Sequence, residues 1–238
     1  MKNSLIKIHF VIILLAFPFI TESKSDSKKE KGLPPKVEVY QSVKGDLNQD
    51  GNEDEVIIKT ECGDCFNWEA ERPPNLIVEL YLSLSVSKTL ELAESSVGAV
   101  CYRCGGMKGK MIVGRPEVTK KGILNMIYFG GSRFVWDDIF KWRWNKEKKS
   151  FELIGRTLVN TDTLSENGKW DSSEAGTIVS MDVNYMSRKS IIKYIGTKNK
   201  VIKTECKLSE KYKTPRFSEF VFEKFEDGAS NCIMQKSK

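Results

Sequence analysis

The apolar residues of this chain fall in short runs, and this restricts what it can fold into. Eight runs alternate apolar with polar residues or are rich in β-branched and aromatic residues, and turn-forming residues stand between them. A period of two is the pattern of a half-buried strand. The runs are 37–40, 56–58, 76–84, 122–129, 140–144, 151–156, 178–185 and 190–195. We therefore predict a mostly β protein of antiparallel sheets with little helix, as a sandwich, an open barrel or propeller-like blades.

Two further segments fit either a helix or a strand. Leu90 to Glu94 is long enough for one helical turn or for a strand extension. In FSEFVFEKF, residues 217, 221 and 225 have helical spacing, whereas 220 and 222 alternate as in a strand. The sequence leaves both segments open.

The N-terminal residues are not expected to join the fold. Lys2 and Lys7 precede an apolar run from Phe10 to Ile20, and polar residues follow, which is the layout of a secretory signal peptide. The run is shorter than the ~20 apolar residues of an ordinary transmembrane helix. We predict a signal peptide at 1–23, a flexible linker at 24–35 and one β-rich domain at 36–238, with any subdivision near 165–173. The protein is thus expected to be exported, periplasmic or secreted, with no integral membrane span after cleavage; the alternative is that the apolar run stays as an uncleaved anchor.

Charge and histidine content exclude several functions. The chain has 38 basic and 32 acidic residues, and the lysines are scattered rather than clustered. This distribution is typical of a solvated surface, and together with export it argues against nucleic acid as a partner. The only histidine is His9, inside the predicted signal peptide. The mature chain would therefore lack every histidine-based triad, general base and metal ligand.

Six cysteines in an exported chain indicate disulfides. Four of them form two Cys-x-x-Cys pairs, Cys62 with Cys65 and Cys101 with Cys104. These pairs fit structural disulfides, within each pair or between the pairs, but also a four-cysteine Zn²⁺ site or a redox-active pair. We expect the last two cysteines, Cys206 and Cys232, to form a disulfide that holds the C-terminal segment.

One acidic turn, DLNQDGNED from Asp46 to Asp54, has the spacing of a metal-binding loop. Oxygen-bearing side chains occupy its positions 1, 3, 5 and 9, and a glycine at position 6 permits a sharp turn. Without a cation its three aspartates would repel one another. Position 12 is Ile57 rather than the glutamate of an EF-hand, and both flanks have strand patterns. The turn therefore predicts a structural Ca²⁺ site that fixes a hairpin.

This turn resembles the Asp-x-Asx-x-Asp-Gly-x-x-Asp loops of integrin-type (FG-GAP) and VCBS-like repeat domains, over about fourteen residues from Lys44 to Ile57. The resemblance implies side-chain ligands from Asp46, Asn48, Asp50 and Asp54, and a backbone carbonyl ligand from Asn52. The motif occurs once in this chain, whereas propeller proteins of that type repeat it in every blade.

A wider resemblance covers the chain from about Lys44 to Tyr185. After the acidic turn come a Cys-x-x-Cys-Gly-Gly segment at 101–106, a Gly-Gly-Ser turn at 130–132 and an aromatic-basic strand at 140–144. This order resembles a group of uncharacterised exported bacterial proteins. It implies export and a calcium-type loop, and it brings no activity. The Cys62–Cys65 pair is a departure from that pattern.

The aromatic run offers a second candidate site. Alternating aromatics on a strand usually fill a core face, with Lys141 and Arg143 then facing solvent. The functional alternative is an exposed platform for a glycan or protein partner, made by Trp136, Trp142 and Trp144.

The sequence gives little support for catalysis. Asp137 and Asp138 are neighbours, so on a strand they would point to opposite faces and could not flank one glycosidic bond. We expect an exported Ca²⁺-binding β-domain that acts as a binding or structural envelope protein rather than as an enzyme. The alternative is a zinc- or thiol-dependent envelope protein that uses the Cys-x-x-Cys pairs, and a third is a glycan-processing enzyme.

Overall fold

Alternation of apolar and polar residues folds most of the described part of the chain into strands. The computed structural model describes residues 37–61, 75–83, 88–109, 112–163, 177–195, 200–210, 212–226 and 228–229. They belong to one compact unit, Pro34–Lys238. The predicted signal peptide and linker, the expected subdivision near 165–173, and Cys62, Cys65 and Cys232 lie outside the described residues.

Thirteen strands lie in the described part of the chain. They are β1 (Val37–Gly45), β2 (Asp54–Glu61), β3 (Leu76–Ser83), β4 (Leu90–Ser96), β5 (Cys101–Tyr102), β6 (Ile112–Val113), β7 (Arg115–Val118), β8 (Ile123–Gly131), β9 (Phe134–Asn145), β10 (Ser150–Asp162), β11 (Ile178–Asn184), β12 (Lys189–Ile195) and β13 (Val201–Lys207). The only helical elements among the described residues are two 3₁₀ turns, Phe217–Glu219 and Phe222–Lys224.

The strands form three antiparallel sheets. A four-stranded sheet has the order β1-β2-β3-β4, a seven-stranded sheet has the order β13-β12-β11-β10-β9-β8-β7, and β5 pairs with β6. Each neighbour in the two larger sheets is also the neighbour in sequence, so both are meanders built from hairpins. The prediction of a mostly β, antiparallel fold is confirmed, as an open arrangement.

One hydrophobic core joins the two larger sheets. The four-stranded sheet contributes Val56, Ile58, Val78 and Leu80, none of which has exposed surface. The inner face of the seven-stranded sheet contributes a row of large residues from β8, β9 and β10. They are Leu124, Met126, Tyr128, Phe140, Trp142, Phe151 and Leu153.

The aromatic run of β9 belongs to this core. Trp142 has no exposed surface, and Trp136 and Trp144 are partly buried and packed against the core. The predicted aromatic platform is therefore wrong for Trp142, because alternation along β9 turns this ring inward. The more ordinary interpretation, a core face with Arg143 exposed, describes the strand.

The C-terminal phenylalanines form neither an α-helix nor a strand. The two 3₁₀ turns direct Phe217 and Phe220 into the core, where their ring centroids lie 5.2 and 5.1 Å from that of Trp142. Phe222 stacks on Tyr128 at 3.9 Å. We call residues 212–226 the aromatic strap. It also reaches the four-stranded sheet, since the Ser96 hydroxyl donates to the Phe220 carbonyl and the Phe222 N–H donates to the Gly98 carbonyl.

Candidate functional site

The β1–β2 turn holds the predicted calcium loop, and its backbone is organised by its own acidic side chains. The two carboxylate oxygens of Asp46 accept hydrogen bonds from the N–H groups of Asp50 (3.1 Å) and Gly51 (2.9 Å). The Asn48 side-chain oxygen accepts from the same Asp50 N–H at 2.9 Å. These bonds turn the side chains at positions 1 and 3 back over the loop. Each oxygen keeps a further lone pair for a cation.

Asp50 occupies the centre of the loop. Its carboxylate accepts hydrogen bonds from the backbone and side-chain amides of Asn52, at 2.9 and 3.0 Å, and from the side-chain amide of Asn48 at 3.1 Å. Gly51 follows with φ +86°, a conformation that side-chain-bearing residues rarely adopt. The sharp turn predicted at position 6 is therefore present, and it brings positions 1, 3, 5 and 7 together.

Asp54 differs from the other loop residues because it is fully buried. One carboxylate oxygen accepts from the N–H groups of Leu47 (2.7 Å) and Asn48 (3.2 Å), and the other from the Ser83 N–H (2.7 Å). Burial raises the pKa of Asp54, the three N–H donors lower it, and the negative charge of Asp50 raises it. Asp54 thus ties the loop to the end of β3.

The loop also contacts the seven-stranded sheet, and the sequence did not predict this contact. Leu47 is 1 % exposed and belongs to the core. The Gln49 side chain donates to the Lys121 carbonyl at 2.8 Å. Gly122 has φ +67°, and a Cβ there would lie 2.9 Å from the Asp46 carbonyl oxygen. We call this contact between the β1–β2 loop and the β7–β8 turn the acidic joint.

The donor set of the loop fits a hard cation better than a soft one. Within the described residues, no group of three or more His, Cys, Asp or Glu side chains is placed to hold a metal alone. An ion here would need the amide oxygen of Asn48 and the backbone carbonyl of Asn52 beside the carboxylates. Such mixed oxygen sets with carbonyl ligands are characteristic of Ca²⁺. Lys44, at the base of the loop, pairs with Glu53 at 3.0 Å.

The structure shows the bonding of one of the two Cys-x-x-Cys pairs. Cys101 and Cys104 form a disulfide within their own Cys-x-x-Cys motif, in the β5–β6 hairpin. In this state neither sulfur offers a thiolate to Zn²⁺. Cys206 is also disulfide-bonded, while its predicted partner Cys232 lies outside the described residues.

The adjacent acids of β9 lie on opposite faces of the sheet, as expected. Asp138 is buried on the inner face and receives two hydrogen bonds from Arg156, at 2.9 and 2.6 Å. Arg156 in turn stacks over the ring of Phe140, 4.9 Å from its centroid. Asp138 thus has a structural partner, and Asp137 stands on the other face.

Comparison with protein-family models, with curated proteins and with solved structures gives no match for this chain. The resemblances to integrin-type loops and to the exported Cys-x-x-Cys-Gly-Gly group therefore stay predictions. Among the described residues, no helix has the length and apolar character needed to cross a membrane.

Proposed function

We propose that this protein is an exported binding protein whose β1–β2 loop holds one structural Ca²⁺. The ligands would be the side chains of Asp46, Asn48, Asp50 and Asp54 and the backbone carbonyl of Asn52. The observation that carries this proposal is the fold of the loop, in which the carboxylates of Asp46 and Asp50 lie around Gly51 and the fully buried Asp54 closes the same turn, so that like charges repel one another there. A divalent cation would replace that repulsion by attraction.

The ion would act at the acidic joint rather than as a switch. The loop contacts the end of β3 through Asp54 and the β7–β8 turn through Gln49. Fixing the loop would therefore hold the four-stranded sheet against one edge of the seven-stranded sheet. At millimolar extracellular calcium, a Kd of ~10⁻⁴ M would keep the site filled.

Thermal unfolding with and without a chelator tests this proposal. Tenfold excess of ligand over Kd contributes about 1.4 kcal/mol, so chelation should lower the Tm of the wild type by about 3–6 °C. Asp50→Ala should abolish that difference. Glu147→Ala removes an exposed carboxylate from the β9–β10 turn and should leave it intact. A wild-type Tm that does not respond to chelation would refute calcium binding.

The alternative, a zinc- or thiol-dependent protein, requires free thiols. The Cys101–Cys104 disulfide disfavours it. Thiol titration under denaturing conditions, combined with elemental analysis, separates the two functions. Calcium without free thiols agrees with our proposal, whereas four thiols with one zinc per chain would support the alternative.

A further inference from the structure

A cavity of about 310 Å³ opens beside β1 on the outer face of the seven-stranded sheet. Its floor is made by β7, β8 and β9, with Ile127 and Phe129 as the apolar centre. One wall is β1 and the other is the segment leading from β6 into β7. The lining residues are Tyr40, Gln41, Ile112, Val113, Gly114, Arg115, Ile127, Phe129 and Asp137.

A β-bulge shapes the first wall. The β1–β2 register shifts between Val39 and Gln41, which makes Tyr40 the extra residue of the bulge. Successive residues of a regular strand point to opposite faces, but both Tyr40 and Gln41 line the cavity. The bulge therefore redirects one of these side chains, as bulges near binding sites commonly do.

The disulfide supports the second wall. Cys101 is paired with Val113 in the β5–β6 hairpin, and Ile112 is paired with Tyr102. The Cys101–Cys104 bond closes the chain directly after this pairing. The hairpin thus fixes Ile112 and Val113 at the rim, and this gives the disulfide a role in the shape of the cavity.

Two opposite charges lie at separate ends of the apolar floor. Arg115 is opposite Ile127 across β7 and β8, and Asp137 is opposite Phe129 across β8 and β9. The Cα atoms of Arg115 and Asp137 are separated by two interstrand spacings across the sheet and by two residues along the strands. They therefore lie roughly 12 Å apart. Among the residues that the structure describes, no side chain forms an ion pair or a hydrogen bond with either of them. On the opposite face of the same sheet, by contrast, Asp138 is paired with Arg156.

We infer that this cavity binds a short peptide with free termini. Arg115 receives the carboxylate, Asp137 receives the ammonium group, and an apolar side chain packs on Ile127 and Phe129. A tripeptide extends to about 10 Å, which suits the separation of the two charges once their side chains reach toward it. The inference gives the proposed binding role a ligand, and it does not depend on calcium in the β1–β2 loop.

NMR titration of the ¹⁵N-labelled domain tests the inference, with Ala-Leu-Ala as the probe. The free peptide should shift the amides of Gln41, Ile127 and Phe129. N-acetylation or C-amidation should each weaken binding about tenfold or more, because each removes one charge-assisted contact. Equal affinity for the free and capped peptides, or saturable shifts confined to another face, would overturn the assignment. So would the absence of saturable shifts at millimolar peptide.

Single variants test which residue binds each end of the peptide. Arg115→Gln should remove the preference for a free carboxylate and keep the preference for a free amine, and Asp137→Asn should do the reverse. Glu117→Gln lies on the same strand and face as Arg115 but outside the cavity, so it should bind like the wild type. If both cavity variants retain the wild-type preferences, the inference is wrong. An unchanged spectrum elsewhere shows that each variant is folded.

The titration is repeated with calcium and with chelator. If the loop binds no calcium, the Tm response disappears while the peptide titration is unchanged. Vesicles of zwitterionic phosphatidylcholine serve as a competing probe. Displacement of the peptide by these vesicles, with the same dependence on Arg115 and Asp137, would reassign the cavity to a lipid headgroup.

Discussion

Two of the contacts between the two larger sheets use opposite chemistry. At the acidic joint, carboxylates and amides of the β1–β2 loop bind backbone groups of β3 and of the β7–β8 turn, around the buried apolar side chain of Leu47. At the aromatic strap, the rings of Phe217 and Phe220 fill the space between the sheets, and the hydrogen bonds with Ser96 and Gly98 are made by groups that carry no charge. The stability contributed by the acidic joint should therefore depend on ions and pH, and the stability contributed by the aromatic strap should depend on side-chain volume.

Removing a ring from the strap should have the largest effect. Phe220 is 1 % exposed, and its ring lies 5.0 Å from Phe140 and 5.1 Å from Trp142. Phe220→Ala should cost about 4 kcal/mol of unfolding free energy, measured by urea denaturation, and calcium should not change that cost. Phe134→Ala, at a ring that is 40 % exposed, is the control and should cost no more than about 1 kcal/mol. A small effect at Phe220 would mean that the strap is not part of the cooperative core.

Truncating the core side chain of the acidic joint should lower the free energy of unfolding by less than truncating Phe220. Leu47→Ala removes the one core side chain of the loop and should cost about 3 kcal/mol in calcium. Unlike the strap variant, it should also reduce the Tm response to chelation, because a loosened loop orders its ligands less well. Val97→Ala, at a side chain that is 69 % exposed, is the matched control. An undiminished chelation response in Leu47→Ala would show that ion binding does not depend on docking of the loop.

The smallest expected effect concerns a carboxylate beside the strap. Glu94 of β4 accepts a hydrogen bond from the Phe151 N–H of β10 at 3.1 Å. Burial raises the pKa of Glu94, and the Phe151 N–H lowers it. Since the folded pKa exceeds the unfolded value of ~4.3, the native state holds the proton more tightly, and stability falls as pH rises through that window.

Glu94→Gln should remove the loss of stability that accompanies rising pH, because the amide does not ionise. The variant should be more stable than the wild type at pH 7, by no more than about 1 kcal/mol, and equal to it near pH 3. Urea denaturation at both pH values measures the difference. Glu91→Gln, at an exposed position of the same strand, is the control for the change from carboxylate to amide. The reverse order of stabilities at pH 7 would mean that the Glu94 charge is compensated by its surroundings.

The sequence predicts the parts of this fold that depend on local alternation. The hairpin of β9 and β10 and the pair β11 and β12 lie where their patterns place them. β13 was not predicted, because its inward residues are Thr204 and Cys206 rather than large apolar residues. The aromatic strap was ambiguous because its rings follow two 3₁₀ turns, whose spacing matches neither a helix nor a strand.

The acidic loop was visible in the sequence because nine consecutive residues carry all of its proposed ligands. The contact of this loop with Lys121 and Gly122 was not visible in the sequence, since it joins positions about seventy residues apart. The cavity is less predictable still. Tyr40 and Asp137 meet only after a bulge, a hairpin and a strand register have formed, and no local pattern specifies all three.

The edge strand β13 bears on how copies of this protein behave toward one another. It closes the seven-stranded sheet on one side, and it carries Lys203, Glu205 and Lys207 at alternate exposed positions. An edge strand exposes backbone groups that can pair with a strand of another molecule, and charged side chains oppose such pairing. The same strand that lacks large inward apolar residues, and was therefore not predicted, thus carries a row of charges that opposes pairing with a second chain at this edge.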